Sequence, residues 1–378
     1  MFIRILSRRS LTGVLLPLVA VAAAGLLLAY PQAVSTGISR GLSVCTTVII
    51  PTLYPFMLLT GWLADSPICR QPPRWLCRIT RWLFGLPGCC GPAILLSLVG
   101  GYPAGALAIA RLQRQGLLNE AQVQRMTAFC VGGGPGFVIS TVGSGLLGST
   151  GAGVCLYAAQ TTISLGVGIW LGRGHRREDA RTSPPPDPPR SITRLVADTC
   201  TSLLTMSGFV TLAATLLSLW EGMGLSLALQ KGLGVPAAGI SATLAAVLEV
   251  SCGCIALAGS SELTPLWLSL CLSWGGLSVQ GQFATALTGQ RVLTSFFYTW
   301  RIFHGLLSGG LSLLLFRLFP TARFTGTGAP TPLPFSVSAT ASVMLLLLSF
   351  LAMLCFSAKS TGKTEQDVVY WRKSSHTR

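Results

Sequence analysis

The residues of this chain that could do chemistry are few and lie inside long apolar runs. Glu249 stands in the motif LEVSCG at 248–253 and is the only acidic residue deep in an apolar run of its half. A carboxylate at membrane depth is costly, so by default it is a candidate site for a cation, a proton or a solute. The alternative is a structural carboxyl that caps a broken helix. Ser251 follows in the same motif and joins it as a candidate.

Glycine clusters that contain proline interrupt two other apolar runs. Residues 100–105 read GGYPAG, and residues 130–136 read CVGGGPG. A helix break in lipid leaves backbone groups unpaired, so it persists only where protein, water or a bound solute satisfies them. Close helix packing at small residues is the alternative explanation. The candidate solute-binding residues of these clusters are Gly101, Tyr102, Pro103, Gly105, Gly133, Gly134 and Pro135.

A third polar motif, WGGLSVQGQ, occupies residues 274–282. It places Ser278 and Gln282 one helical turn apart, hence on one face of a helix. Hydroxyl and amide groups at this depth can bind a polar solute, or they can hold helices together. Gly275, Gly276, Ser278 and Gln282 are therefore candidates as well.

Arg301 and His304 are three residues apart and share a helix face. If Arg301 faces the protein interior, it is the natural partner of an anionic substrate or of Glu249. The alternative is an arginine near the membrane surface whose charged end extends to the headgroups.

Motifs of soluble enzymes and metal sites are absent from the sequence. There is no Walker A lysine motif, no GxSxG and no HExxH, and the chain has three histidines. The pairs Cys89/Cys90 and Cys252/Cys254 do not have zinc-ligand spacing. We therefore expect no enzyme, no cofactor and no metal, although intramembrane serine catalysis stays open.

The composition is that of an integral membrane protein. The chain has 378 residues, of which 51% are hydrophobic and 10% charged, with a mean hydropathy of +0.63. A soluble domain carries about 25% charged residues. The net charge of +16 comes from basic residues between the apolar runs, which is the pattern of cytoplasmic orientation signals and not of a nucleic-acid surface. We expect a multi-pass protein of the cell membrane whose partners are the bilayer and a small-molecule substrate. We expect no nucleic-acid partner, and a homo-oligomer stays open.

Ten segments are apolar enough to enter a membrane. An amphipathic interfacial helix is predicted over 74–86, where arginine and tryptophan alternate with aliphatic residues. The first segment is longer than a signal-peptide core, which favours an uncleaved helix. The segments are 11–30, 41–64, 89–110, 127–147, 150–172, 195–220, 235–258, 265–287, 292–316 and 335–356.

Basic loops suggest how the chain is threaded through the membrane. Both 65–88 and 111–126 are basic, so both should be cytoplasmic, and segment 89–110 between them must enter and leave on one side. It should be a re-entrant hairpin that turns at 100–103, and 235–258 should be a second one. The predicted fold is an all-α polytopic membrane protein with about eight spanning helices plus two re-entrant helical hairpins in an inverted repeat. Ten full spans without hairpins is the alternative.

This topology divides the chain into five parts. They are an N-terminal membrane helix at 1–40, a first repeat at 41–172, a cytoplasmic linker rich in arginine and proline at 173–194, a second repeat at 195–316, and a C-terminal membrane helix with a basic cytoplasmic tail at 317–378.

The ordered motifs resemble the YlbJ-type sporulation integral membrane proteins, which contain nucleoside-transporter/FeoB gate-type domains. The resemblance runs from about residue 40 to residue 316. The matching motifs are GGYPAGALAIARL at 100–112, AFCVGGGPGFVISTVG at 128–143, LEVSCG at 248–253, WGGLSVQGQ at 274–282 and the helix with Arg301 and His304.

The resemblance implies a secondary transporter or permease in endospore-forming bacteria that moves a small polar, anionic solute. Dipicolinic acid crossing the outer forespore membrane is the favoured case; a non-transporting scaffold for the spore envelope, or nucleoside or ion transport, are alternatives. At the helix break that corresponds to residues 131–135, the family sequence has two asparagines followed by Ser-Gly-Pro, whereas this chain reads VGGGP. The polar side chains of that break are missing, so either backbone groups bind the solute or the substrate differs.

Overall fold

The regular structure of the chain is helical throughout the residues described. The computed structural model describes residues 8–174, 190–258, 263–287 and 293–319. Every regular element in these ranges is a helix, which confirms the predicted all-α class. The predicted segment 335–356, the C-terminal tail and most of the linker lie outside the described residues.

The N-terminal region is more helical than the sequence suggested. Helix α1 (Arg8–Ala29) comes first. It is followed by α2 (Pro31–Val44), a π-helical segment (Cys45–Ile49) and α3 (Ile50–Ala64), and these last three elements form one continuous long helix. The predicted boundary at residue 40 therefore falls inside a helix. Pro31 at the first helical position starts this helix, because its fixed φ suits that position and its missing N–H is not needed there.

The long helix packs closely against α9 (Ile192–Gly222) through two glycines one turn apart. A Cβ atom on Gly37 would lie 2.5 Å from the Cα of Thr215, and one on Gly41 would lie 2.6 Å from the Cα of Thr211. Small residues at such spacing let two membrane helices approach at backbone distance. Residues 31–40 lay between the predicted segments 11–30 and 41–64, whereas in the structure they are helical and belong to a helix interface.

The first half continues through an amphipathic helix and a broken helix. The amphipathic helix, α5 (Arg74–Phe84), buries Leu76, Thr80 and Phe84 and exposes Trp75 and Trp82. The elements of this half after α3 are α4 (Pro67–Arg70), α5 (Arg74–Phe84), α6 (Cys90–Arg114), α7 (Glu120–Phe129), an irregular stretch at 130–135, a π-helical segment (Gly136–Leu146) and α8 (Thr150–Gly172).

Helix α6 turns back on itself at Gly101, and we call it hairpin 1. Gly101 has φ 71° and ψ −154°, a conformation that no helix contains. A Cβ on Gly105 would lie 3.1 Å from the Cβ of Ser97. In a continuous helix, residues eight apart are separated by about 12 Å. The two arms therefore lie side by side, although α6 is long and apolar enough to count as a span by composition alone.

The second half contains an equivalent turn at Glu249. Helices α11 (Ala237–Leu248) and α12 (Val250–Leu257) meet at Glu249, whose backbone is extended. A Cβ on Gly253 would lie 2.5 Å from the Cα of Ala246, although a straight helix would separate these residues by about 10 Å. We call this pair hairpin 2.

The order of elements in the second half repeats that of the first. Each half has a long helix, then short helices (two in the first half, one in the second), a hairpin, a broken helix and a final long helix. The second half consists of α9, α10 (Leu225–Leu233), hairpin 2, α13 (Thr264–Trp274), α14 (Gly276–Ala286) and α15 (Ser295–Leu318), and Gly275 separates α13 from α14. That the two halves are inverted relative to a membrane stays a prediction.

Ion pairs join three predicted cytoplasmic segments at one end of the molecule. Asp65, at the end of α3, binds Arg111 at 3.3 Å and Arg190 at 2.8 Å. Arg190 and Arg194 also bind Asp198, both within 3.3 Å. The loop at 65–73, the end of hairpin 1 and the end of the linker therefore meet, as the hairpin topology requires. A full span at 89–110 would have put Arg111 at the opposite end.

Five helices in the described ranges are long and apolar enough to cross a membrane. A sixth would be α10 and α11 together, which bend by 116° at their junction. About eight spans were predicted. Of these, 335–356 lies outside the described residues. The predicted spans 127–147 and 265–287 are each divided by a break into two helices of 10 or 11 residues, about half of what a span needs.

Candidate functional site

The two hairpins and the two broken helices meet at one small cavity, which we call the tip cavity. Its volume is about 30 Å³, room for about two water molecules. Its apolar wall includes Leu53 from the long helix 31–64 and Met206 and Val210 from α9. The other residues that line it include Gly101, Tyr102, Gly134, Glu249, Ser251 and Gln282.

Hairpin 1 touches the first broken helix through backbone atoms. This broken helix consists of α7 and the π-helical segment, and residues 130–135 between them are the first break. A Cβ on Gly101 would lie 2.5 Å from the backbone nitrogen of Gly134, and one on Gly105 would lie 2.1 Å from the carbonyl oxygen of Cys130. Only glycine can occupy such positions, since any side chain would separate the two segments. The glycine clusters of the sequence are thus the contact between a hairpin tip and a helix break.

Hairpin 2 touches the second broken helix in the same way. A Cβ on Gly276, which has φ +74°, would lie 2.7 Å from the Cα of Glu249. The Glu249 carboxylate accepts a hydrogen bond of 2.8 Å from the backbone N–H of Cys252 and so caps α12. Glu249 is 2% exposed and also lines the tip cavity. The capping role that the sequence left as an alternative is thus present, together with a place at the cavity.

Tyr102 joins the two halves across the site. Its hydroxyl donates a hydrogen bond to the carbonyl oxygen of Leu272, in the last turn of α13. Its ring lies beside Gly275, where an added Cβ would be 3.5 Å away. The tip of hairpin 1 therefore contacts both broken helices.

Arg301 and His304 lie behind the second break and do not line the tip cavity. Arg301 is 1% exposed, so it faces the interior and not the membrane surface. Its Nε donates to the carbonyl oxygen of Ser273 at 2.5 Å. His304 contacts the hydroxyls of Ser273 at 2.7 Å and Ser164 at 2.9 Å. These contacts tie α15 to α13 and α8.

A second polar cavity, the side cavity, lies on the far side of the first break. Its volume is about 20 Å³, room for about one water molecule. Gln160 lines it, is 4% exposed, and has a side-chain amide whose oxygen and nitrogen are both buried without a hydrogen-bond partner. The polar residues around it are Ser97, Tyr157, Gln160, Thr161 and Ser164.

The structure brings most of the predicted site residues together. Gly133 belongs instead to the side cavity, and Pro135 and Gly275 form parts of the breaks. Ser278 is buried in α14 with an unpaired hydroxyl. Those that line the tip cavity are Gly101, Tyr102, Pro103, Gly134, Glu249, Ser251 and Gln282.

Sequence reasoning missed Gln160 as a functional candidate. A lone amide in the apolar helix α8 was the available signal, because a polar side chain at that depth needs a partner.

These features define the class of protein. The chain is a multi-pass, all-helical integral membrane protein whose two halves each contain a helical hairpin and a broken helix.

Comparison with known proteins connects this class to a sporulation protein. The chain is 25% identical over 329 residues to the sporulation integral membrane protein YlbJ of Bacillus subtilis (strain 168). The match covers 78% of this chain and 80% of that protein. The predicted resemblance to YlbJ-type proteins is thereby confirmed. No family model matches the chain, and no solved structure matches it, so its relation to gate-type transporter domains stays a prediction.

Proposed function

We propose that the chain is a sporulation-associated secondary transporter or permease for a small polar, anionic solute. One observation carries the proposal: two hairpin tips and two helix breaks surround a single cavity. Backbone that departs from a helix at membrane depth is stable only where protein, water or solute satisfies it. Broken helices that meet in the middle of two structural repeats are typical of secondary transporters.

Helix N-termini at the tip cavity favour an anionic solute. The second arm of hairpin 1, the π-helical segment, α12 and α14 all begin at it, and their first turns include Tyr102, Phe137, Val250 and Val279. Unpaired N–H groups and the helix dipole make such ends favourable for negative charge. Glu249 opposes an anion when ionised and can donate a hydrogen bond to it when protonated, which gives the site a route for coupling to protons.

The tip cavity is too small for a solute of the size of dipicolinic acid in this conformation. Dipicolinic acid, the substrate that the family resemblance implies, has a dozen heavy atoms, whereas the cavity of about 30 Å³ accommodates about two waters. The conformation is therefore closed. Transport requires hairpin tips to move away from the breaks, at the contacts Gly101–Gly134 and Glu249–Gly276.

The proposal is tested by the dipicolinate content of spores. A deletion strain complemented with the wild-type chain should contain normal dipicolinate, and complementation with Glu249→Gln or Gln282→Ala should restore much less. Glu221→Gln is the matched control, since Glu221 is exposed at the end of α9. Each variant should be present in the membrane at wild-type level by immunoblot.

Two outcomes would contradict the proposal. Normal dipicolinate in spores of the deletion strain would refute the substrate. Full restoration by both tip-cavity variants, together with failure of a chain that lacks the linker at 173–194, would favour the scaffold function instead.

A further inference from the structure

Arg301 is a buried cation whose charge is not balanced by any residue that the structure describes. Its Nη1 and Nη2 atoms are buried and have no hydrogen-bond partner. Asp65 and Asp198 bind other arginines, and Glu249 caps α12. Glu120 and Glu221, the other acidic residues in the described ranges, are exposed at helix ends. An unpaired charge in the interior is strongly unfavourable, so a partner is expected.

A purely structural role accounts for only part of the guanidinium. Its Nε caps α13 by donating to Ser273, where the negative end of the helix dipole favours a cation. The ring of Phe297 lies 6.0 Å from the central carbon. Neither contact uses the two Nη atoms, and this pair is the group that binds carboxylates in a two-pronged geometry.

His304 connects Arg301 to the side cavity without adding charge of its own. Its Nε2 lies 3.1 Å from the backbone carbonyl oxygen of Gln160, which can only accept, so Nε2 carries the proton. Its Nδ1 then accepts from the hydroxyl of Ser273, whose carbonyl holds Arg301. A neutral imidazole thus links Ser273, which holds the unpaired guanidinium, to the backbone of Gln160, whose side-chain amide is also unpaired.

We propose that Arg301 and Gln160 form a second, buried site for a carboxylate group, separate from the tip cavity. The Nη pair supplies the charge and the Gln160 amide supplies a hydrogen-bond donor. Tyr102 stands between the two sites: it lines the tip cavity, and its hydroxyl is 3.6 Å from the Cβ position of Gly133 at the side cavity. As a transport step, the site rests on the proposed function; as a binding site, it can be tested by itself.

The test is anion-dependent stability of the purified full-length protein in detergent. Sodium formate, sodium chloride and dipicolinate are titrated separately while a bulky buffer anion holds the ionic strength. Formate, the smallest carboxylate, should raise the melting temperature by roughly 2 °C per tenfold increase above the dissociation constant. Dipicolinate should not raise it, because it is too large for a cavity with room for about one water molecule. Arg301→Gln should abolish the rise with formate, and Gln160→Ala should weaken binding severalfold.

Two further variants show whether a lost response comes from misfolding and whether it depends on which arginine is replaced. Arg317→Gln removes an exposed arginine from the same helix and should leave the response unchanged. Arg301→Lys keeps a charge and should weaken carboxylate binding, because a lysine lacks the two-pronged geometry. Should Arg301→Gln fail to fold, the formate response of Arg301→Lys is compared with that of Arg317→Gln. Equal responses of the two variants would overturn the site, and a weaker response of Arg301→Lys would support it.

The outcomes separate this site from the proposed function. Glu249→Gln should keep the formate response even where it loses transport. If Arg301→Gln loses transport but still binds formate, the proposed site is overturned. A wild-type protein that does not respond to formate, or that responds to chloride alone, would also overturn it. A formate response in a protein that moves no dipicolinate would support the site and refute the transport proposal.

Discussion

Replacement of Gly101 by alanine should disrupt the contact between hairpin 1 and the first break. Gly101 has φ 71° and ψ −154°, a region that is essentially restricted to glycine, and strain of this kind costs about 1–3 kcal/mol. The new Cβ would also lie 2.5 Å from the backbone nitrogen of Gly134, which cannot move as a side chain does. Overpacking of a tight site costs about 1–3 kcal/mol more. The free energy of unfolding should therefore fall by about 2–6 kcal/mol.

Two glycines of the same chain serve as controls for this variant. Gly116 has φ +69° with open space around its Cβ position, so Gly116→Ala measures positive-φ strain alone and should cost about 1–2 kcal/mol. Gly166 lies in α8 with nothing within 4 Å, and Gly166→Ala should be neutral or stabilise by up to about 1 kcal/mol.

The assay is unfolding of the purified protein in mixed micelles, followed by circular dichroism as the fraction of denaturing detergent rises. Spore dipicolinate gives a second readout, since a displaced tip should impair the closed state. The reasoning is refuted if Gly101→Ala stays within about 0.5 kcal/mol of wild type while Gly116→Ala shows its expected loss.

Three further predictions concern the tie between the halves, the topology and thiol chemistry. Tyr102→Phe should lower the free energy of unfolding by about 1 kcal/mol, because the carbonyl of Leu272 loses its donor; an unchanged stability would show that this hydrogen bond contributes nothing. In a cysteine-free background, Glu120→Cys and Arg74→Cys should react with an impermeant maleimide from the same side of the membrane, and labelling from opposite sides would overturn hairpin 1. Burial raises the pKa of the Cys69 thiol, which leaves less thiolate at neutral pH. Maleimide labelling of Cys69 should therefore be slower than that of free cysteine and should accelerate as the pH rises above 9. A labelling rate equal to that of free cysteine at pH 7 would contradict this.

The sequence was informative where the residue type alone restricts the path of the backbone or the depth of a side chain in the membrane. Charge on both sides of 89–110 required that segment to return, and Gly101 was the residue able to turn it. Glu249 was found because a carboxylate is rare at that depth. Both inferences rest on the free-energy cost of placing a particular residue type in a membrane or in a turn. They need no knowledge of the residues that pack around it.

What the sequence could not provide depends on packing partners. The polar stretch at 31–40 became helical because Gly37 and Gly41 fit against α9, which lies far away in the chain. The burial of Arg301 likewise depends on α13, whose carbonyl it caps. That no described carboxylate pairs with Arg301 also depends on packing, which places each of those carboxylates elsewhere.

The backbone contacts between the hairpin tips and the breaks bear on how the proposed transporter opens. The tips meet the breaks through glycine backbone at Gly101–Gly134 and through Gly276 at Glu249. Between the tip of hairpin 1 and α13 the Tyr102 hydrogen bond is a single polar tie. Contacts of this size separate at lower cost than interdigitated side chains, whose burial each contributes about 1.5–3 kcal/mol. For the proposed transport function we therefore expect the hairpins to move while the long helices stay packed, with the hydrogen bond of Tyr102 broken in that movement.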